Sequence, residues 1–306
     1  MTTESRAAAN ARLHEIADGV FAHVQPDGGW CLNNAGLITS GGDSALIDTA
    51  ATEARARRLR DTVLAVAPAP PRVVVNTHSH GDHTFGNFVF PEAVVVGHER
   101  TRAEMAEIGL HLTGLWPDVC WGDVEVVLPT LTFRDRLTLT VGGTTAELMH
   151  LGVAHTTNDT AVWLPEHRVL FTGDLVMAGV TPFVMMGSIT GSLAVTARLR
   201  ALGARTVVPG HGPVSGPEVF DTAERYLVWV RALAEDGVAA GATPLEVARE
   251  ADLGEFAALL DGERLVANLH RAYAEAAGAA EGAALDVATA FGDLVEYHGS
   301  LPACHA

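Results

Sequence analysis

The stretch Asn76-Thr77-His78-Ser79-His80-Gly81-Asp82-His83 packs four side chains of metal-ligand type, His78, His80, Asp82 and His83, into six positions. Imidazole nitrogen is the commonest protein ligand for zinc, and carboxylate oxygen serves the same ion. His78 and His80, two residues apart, point the same way from an extended segment. Gly81 permits a tight turn there. Asp82 and His83 then face a neighbouring point, so the turn is arranged for two ions rather than one. The plainer reading is a polar turn with solvated histidines, and further ligands decide between them.

Three later stretches supply candidates, each at the exit of an apolar strand, where a sheet presents residues to a crevice. His155 follows the strand ending near His150, Asp174 closes Val169-Leu170-Phe171-Thr172 after Gly173, and His211 closes Val207-Val208-Pro209 within Gly210-His211-Gly212. Each alone reads equally well as a cap or turn former. Together with the first stretch they make a ligand set.

The elements that must position these residues are legible in outline. Glu15 to Gln25 reads as a first strand; Cys31 to Thr39 and Ala45 to Asp48 follow, split by the turn signal Gly41-Gly42-Asp43. Thr52 to Ala67 reads as a helix with Thr52 as N-cap, Leu59, Val63, Leu64 and Val66 on its apolar face, and Arg55, Arg57, Arg58 and Arg60 on its polar face. Pro68, Pro70 and Pro71 stop it and deliver the chain into strand Arg72 to Asn76. Strands at Ala93 to Gly97, Leu137 to Val141, Thr144 to His150, Thr160 to Leu164, Arg168 to Thr172 and Thr206 to Pro209 alternate with helices at Arg102 to Leu112 and Ser192 to Leu202. From Pro217 the pattern is helical throughout: Val219 to Ala234, Pro244 to Glu250, Glu263 to Ala277 and Leu285 to Tyr297.

Composition bounds the function. The 306 residues are 48% hydrophobic and 19% charged, a globular balance with ample material for a core. All 20 basic residues are Arg and the net charge is −17, which argues against nucleic-acid binding and against a grip on anionic lipid. Cys31, Cys120 and Cys304 are odd in number and form no zinc spacing; they read as core or surface thiols of a reducing compartment. Met1 to Asp18 shows no apolar stretch of signal-peptide length, and no run reaches the ~20 apolar residues of a membrane helix. The expectation is a soluble, cytoplasmic protein.

With Thr77-His78-Ser79-His80-Gly81-Asp82-His83 followed in order by His155, Asp174 and His211, residues 15 to 215 resemble the metallo-β-lactamase superfamily and its HxHxDH signature. The resemblance implies an α/β fold, an αββα sandwich with a dinuclear site at one edge, here followed by a C-terminal helical extension. Residues 1–216 are expected to form the catalytic domain, and 217–306 to pack on its core and cover the pocket. By position, His78, His80 and His155 hold one ion, Asp82, His83 and His211 the other, and Asp174 bridges. Two Zn2+ in such a site lower the pKa of a shared water and polarise a carbonyl, and Asp82 is the catalytic residue that orients the nucleophile. His80 stands where di-iron relatives carry a carboxylate, which favours zinc and leaves manganese and iron open. The chain departs from many hydrolase relatives in Ala154-His155-Thr156-Thr157-Asn158-Asp159, so a relative's substrate does not transfer. His98, His150 and His167 read as structural; His14, His23, His111, His270, His298 and His305 read as surface or packing residues.

Val176 to Gly191 holds Met177, Phe183, Met185 and Met186, and is too broken by Gly and Pro for a strand. It is either cover for the core or an adaptable pocket wall for a large flat ligand. Trp30, Leu115, Trp116 and Trp121 could extend that wall. Four stretches, Gly29 to Gly36, Leu112 to Pro117, Gly179 to Phe183 and Glu263 to Arg271, resemble the metallo-β-lactamase-fold cyclases of aromatic polyketide pathways, of the actinorhodin second-ring type. That resemblance implies closing a later ring on a poly-β-ketone held by an acyl carrier protein and hydrolysing its thioester. Docking an acidic carrier needs a basic patch; Arg55, Arg57, Arg58 and Arg60 form one candidate, Arg198, Arg200 and Arg205 another, and each also reads as a solvated helix face. Against these stand a generic dinuclear hydrolase of a small ester, lactone or thioester, and a non-catalytic ligand-binding module; a module that had lost catalysis would be expected to lack Asp82 or Asp174.

Overall fold

A computed structural model describes residues 12–306, so the reading of Met1 to Asp18 lies outside the described residues as far as position 11. Strands β1 (Arg12–Ala17), β2 (Val20–Val24), β3 (Ala35–Ser40), β4 (Asp43–Ile47), β5 (Val73–Val75), β6 (Val94–His98) and β7 (Leu131–Phe133) form one sheet in chain order. The second sheet runs β12 (Thr206–Pro209), β11 (Val169–Gly173), β10 (Ala161–Leu164), β9 (Thr144–Met149), β8 (Arg136–Val141).

Alternation along each strand builds the layers. In β5, Val75 faces the second sheet while Val74 faces outward; in β10, Val162 and Leu164 face inward and Ala161 and Trp163 outward. Val20, Ile38 and Val96 meet Leu148, Phe171 and Val208 between the sheets. The approach is close enough at β3 that a side chain at Gly36 would overlap the Phe171 ring. Helix α1 (Glu53–Leu64) covers the outer face of the first sheet through Ala56, Leu59 and Val63, and the short α2 (Gly81–Thr84) follows β5. Helices α5 (Ile189–Ala201) and α6 (Val219–Ala240) cover the second through Val195, Leu199, Phe220 and Ala223. This is the αββα sandwich expected from the sequence. Helices α7 (Pro244–Glu250), α8 (Arg264–Ala276) and α9 (Val287–His298) follow α6 and share an apolar cluster with the 177–189 loop.

Thr52 caps α1 by accepting from the Arg55 backbone N–H, and the tail helices start within a few residues of their expected positions. Five expectations need correction. Leu64 and Val66, expected on the apolar face of the first helix, are exposed, and α1 ends at Leu64. Glu15 to Gln25 is a hairpin, because Gly19 takes a left-handed φ of 67° that a continuous strand does not allow. Residues 31–34 are irregular, and β3 begins at Ala35. The helix expected at Arg102 to Leu112 is instead α3 (Glu99–Ile108) and the short α4 (His111–Leu115), broken at Gly109 with φ 57°. Arg55 is buried rather than on a polar face, donating to Gln25 Oε1 at 2.8 Å. Among the described residues, no helix is long and apolar enough to cross a membrane.

Parallel pairing decides where ligands emerge. β4 and β5 run side by side with Ile47 opposite Val75, so Asp48 leaves the sheet beside Asn76 and Thr77. β11 and β12 pair with Gly173 opposite Pro209, which sets Asp174 beside Gly210-His211. Strands running together end together, at one edge. Leu148→Ala, which opens a cavity between the sheets away from that edge, is expected to lower unfolding free energy by about 2–5 kcal/mol, measured by urea denaturation.

Candidate metal centre

All seven sequence-selected ligands meet at this edge in two adjoining groups: His78, His80, His155 and Asp174, and Asp82, His83 and His211. Asp174 joins them. Its Oδ2 lies 3.4 Å from His155 Nε2, 3.5 Å from His211 Nε2 and 3.8 Å from His78 Nε2, and its Oδ1 lies 3.2 Å from His83 Nε2. Asp82 Oδ2 is 3.3 Å from His211 Nε2 and 3.8 Å from His83 Nε2. His80 is half-buried and the other six are buried.

The donor set fits cations. His78 Nε2, His83 Nε2 and Asp174 Oδ1 are buried without a hydrogen-bond partner, although such groups in protein interiors nearly always have one. His80 Nδ1 and His155 Nε2 approach to 3.0 Å, a contact that needs a shared proton or a cation between them. Burial drives the His78 imidazole well below its usual range and holds His155 at about 3, leaving lone pairs free to ligate. Burial also opposes charge on His83 and His211, but the facing carboxylates outweigh it, led by Asp174, and hold His83 well above its usual range and His211 at about 9. Asp82 stays ionised, at about 2: burial works against it, and the His83 and His211 imidazoles overcome that. The group therefore offers concentrated negative charge and lone pairs to metal ions, with protons on His83 and His211 to be displaced.

The other nitrogen of most rings is fixed by the fold. His83 Nδ1 donates to Asp48 Oδ2 at 2.8 Å, His211 Nδ1 to the Gly28 carbonyl at 2.9 Å, and His155 Nδ1 to the Phe183 carbonyl. Asp48 also accepts from the Thr77 N–H and hydroxyl, both at 2.7 Å, so one carboxylate orients the His83 ring and pins the turn bearing His78 and His80. Asn34 donates to the carbonyls of Pro209 at 2.9 Å and Gly212 at 2.7 Å, framing His211. A methyl at Gly210 would overlap Asp174 Oδ1.

A cavity of about 490 Å³ opens over the cluster. Trp30, Leu115, Trp116, Met177, Phe183, Met185 and Met186 all line it, together with His80, Asp82, His155, Asp174 and His211. Trp121 does not: it sits behind the wall, donating to the Trp116 carbonyl at 3.0 Å. His111, read as a surface or packing residue, lines the cavity. His98 and His150 stack on one another at 4.2 Å and join no ligand group. Sequence reasoning missed Asp48, Arg264 and Phe291. Asp48 had a usable signal, an acid at the exit of an apolar strand on the ligand-bearing edge. Arg264 lies in the Glu263 to Arg271 stretch that carries the cyclase resemblance, though nothing there marked it as a wall residue; Phe291 carried no signal, because it reaches the cavity from α9.

Residues 28–211 match the family described as the metallo-beta-lactamase superfamily. The chain is 31% identical over 247 residues to a hydroxyacylglutathione hydrolase of Anaeromyxobacter dehalogenans (strain 2CP-C), covering 75% of this chain and 78% of that one. It is 28% identical over 215 residues to the 2,4-dinitroanisole O-demethylase subunit alpha of Nocardioides sp. (strain JS1661), covering 69% of this chain; it spans 57% of that relative's length. A solved metallo-beta-lactamase from Pontibacter korlensis superposes with a TM-score of 0.61 at 23% identity, over 72% of this chain and 99% of that chain, a likeness of fold.

Replacing Asp48 by Asn removes the carboxylate charge and one of the two oxygens that accept from His83 and Thr77. Zinc affinity is expected to fall about 10–100-fold, measured by competition with a chromophoric chelator. Gly210→Ala, by displacing Asp174, is expected to reduce the zinc retained per chain after desalting, measured by metal analysis.

Proposed function

The chain belongs to the metallo-beta-lactamase superfamily, and from that membership and the cavity above its ligand cluster we propose a metal-dependent hydrolase and cyclase. Its substrate is an aromatic polyketide intermediate carried as a thioester on an acyl carrier protein; it closes a later ring and hydrolyses the thioester. The observation that carries this reading is the cavity of about 490 Å³ directly over the cluster, walled by Trp30, Trp116, Phe183 and Phe291 with Met177, Met185 and Met186 between them. Such a wall suits a flat, multi-ring ligand better than a small polar ester. The names of two relatives concern dinitroanisole and hydroxyacylglutathione, an aromatic and an acyl compound.

Two zinc ions, held by His78, His80 and His155 and by Asp82, His83 and His211 with Asp174 between, would supply a hydroxide nucleophile at neutral pH and a Lewis acid for the carbonyl oxygen. The chain's own groups do the rest. Asp82 lines the cavity floor as an ionised carboxylate, placed to accept a hydrogen bond from the attacking water. The aromatic walls exclude bulk water and hold the flexible ketone chain folded, so that carbon nucleophile and carbonyl meet. The thioethers adapt the wall to ring number.

We assign residues 1–216 to the catalytic domain and 217–306 to a helical extension covering the pocket, since Val287, Ala288 and Phe291 of α9 line the cavity. A carrier-linked substrate places the protein in the cytoplasm. The candidate docking arginines are largely engaged within the chain: Arg57 pairs with Glu53 at 2.8 Å, Arg60 with Glu92 at 2.5 Å, and Arg200 with Asp221 at 2.8 Å and Glu224 at 2.7 Å. An acidic carrier would have to displace these partners.

The test is turnover of a bicyclic aromatic polyketide presented as a pantetheine thioester, with zinc-loaded protein and Asp82→Ala. Free thiol together with a cyclised product, both lost in the variant, is expected. Cyclised product without thiol would restrict the activity to ring closure. Cleavage of simple esters or lactones with the polyketide untouched would overturn the assignment and leave a dinuclear hydrolase of small substrates.

A further inference from the structure

Segment 299–306 returns across the outside of the cavity wall. The Trp116 indole N–H donates to the Pro302 carbonyl at 2.7 Å, and the Arg55 guanidinium donates to the His305 carbonyl at 2.5 Å. These two anchors flank Cys304, which packs against the apolar cluster of Cys31, Ala51, Phe85, Trp116 and Trp121. There the two thiols influence one another. Cys31 is buried and lines the metal-site cavity, whereas Cys304 is partly exposed. Neither thiol belongs to the ligand groups. The third cysteine, Cys120, is exposed on the described surface.

We propose that Cys31 and Cys304 are an oxidisable thiol pair, and that their disulfide ties segment 299–306 to the wall of the metal-site cavity. Both side chains share one apolar cluster before oxidation, so the bond forms without refolding. The oxidant class is a peroxide. The Cys304 sulfur attacks one oxygen of hydrogen peroxide, the O–O bond breaks, and the departing hydroxide takes the thiol proton and leaves as water. Cys304 is then a sulfenic acid. The Cys31 sulfur attacks it, the S–S bond forms, and the hydroxide displaced from Cys304 takes the Cys31 proton and leaves as a second water. Two thiols lose two electrons and two protons, and peroxide is reduced to two waters. The order follows from exposure: peroxide reaches the half-exposed sulfur, and the buried one resolves it. Interaction with Cys31 also lowers the Cys304 thiol below its usual range, favouring its thiolate. Burial protects Cys31, which is raised well above its usual range by the same interaction and then by desolvation.

The tie has a consequence at the site. Trp116 both lines the cavity and holds Pro302, and Phe291 of α9 packs edge-on against Trp116 with ring centroids 6.3 Å apart. A disulfide therefore adds a covalent tie to a wall otherwise held to the strap by a hydrogen bond.

The chain contains no Lys, so trypsin, cutting at Arg, leaves the three cysteines in separate peptides, 13–55, 103–134 and 272–306. Full-length zinc-loaded protein is treated with hydrogen peroxide, blocked with N-ethylmaleimide, digested without reductant and analysed by mass spectrometry. The expected result is peptide 13–55 joined to 272–306 with loss of two hydrogens, reversed by dithiothreitol, abolished in Cys304→Ser and retained in Cys120→Ser. Oxidation of Cys304 to the sulfinic acid with Cys31 still alkylatable would overturn the proposal. So would intermolecular Cys120 disulfides as the sole product while Cys31 and Cys304 stay reduced.

Discussion

The buried Asp174 carboxylate stands within 3.2–3.8 Å of the nitrogens of His83, His155, His211 and His78, at the floor of the cavity. That contact is the constraint on which the rest of the fold is organised. A buried carboxylate is expensive unless surrounded by groups that compensate its charge. Here compensation comes from imidazoles on three separate segments, those that follow β5, β9 and β12. The sandwich brings those ends to one edge, and the parallel β4–β5 and β11–β12 pairs keep them in step. Shifting either register by one residue would move a ligand to the wrong face. The supports around the cluster, Asp48 beneath His83 and Thr77, Asn34 around His211, and Gly210 against Asp174, are as specific as the ligands.

Above this charged floor the chain changes character. The cavity walls come from the 177–186 loop, α4, Trp30 and α9, and are almost entirely apolar. His111 is one polar exception and Arg264 the other. Arg264 lies fully buried in the wall, 4.1 Å above the Trp30 ring and paired with Asp261 at 2.8 Å, while the Trp30 N–H donates to neighbouring Glu263 at 2.6 Å. A cation between an aromatic face and a carboxylate is compensated on both sides, so it stiffens the wall without putting an unpaired charge in the cavity. Chemistry and shape are thereby separated: the strand edge fixes the ligands, and the loop and tail helices fix what fits above them. The same tail helices pack on the 177–189 loop through Tyr226, Val230, Leu265 and Leu269, and Asn268 donates to the Pro182 carbonyl at 2.7 Å. Loop shape therefore depends on helices far along the chain.

The last residues extend this logic. Pro302 and His305 are held by Trp116 and Arg55, one a cavity residue and one a helix residue that turns inward instead of facing solvent. An arginine expected on a polar helix face thus serves as an internal strut, because its guanidinium finds Gln25 and a backbone carbonyl to satisfy it.

What the sequence by itself determined is what local pattern can encode. Dense His and Asp spacing at 78–83 and a ligand after each of three apolar strands named all seven members of the cluster, and alternating and helical periodicity placed most of the elements that hold them. The pocket residues Met177, Phe183, Met185 and Met186 were legible as a broken apolar loop beside Asp174. Tertiary structure alone decided which strand ends meet and what supports them. Asp48 looked like an ordinary strand terminus until parallel pairing set it beside Thr77. Arg264 and Phe291 looked like helix residues until α8 and α9 folded over the cavity, and Cys31 and Cys304 looked unrelated until a strap of eight residues, 299–306, brought both into one apolar cluster. The physical reason is the same in each case. Periodicity reports which face of an element is buried, whereas a contact between distant residues depends on how whole layers pack, and that is decided by the summed burial of the core.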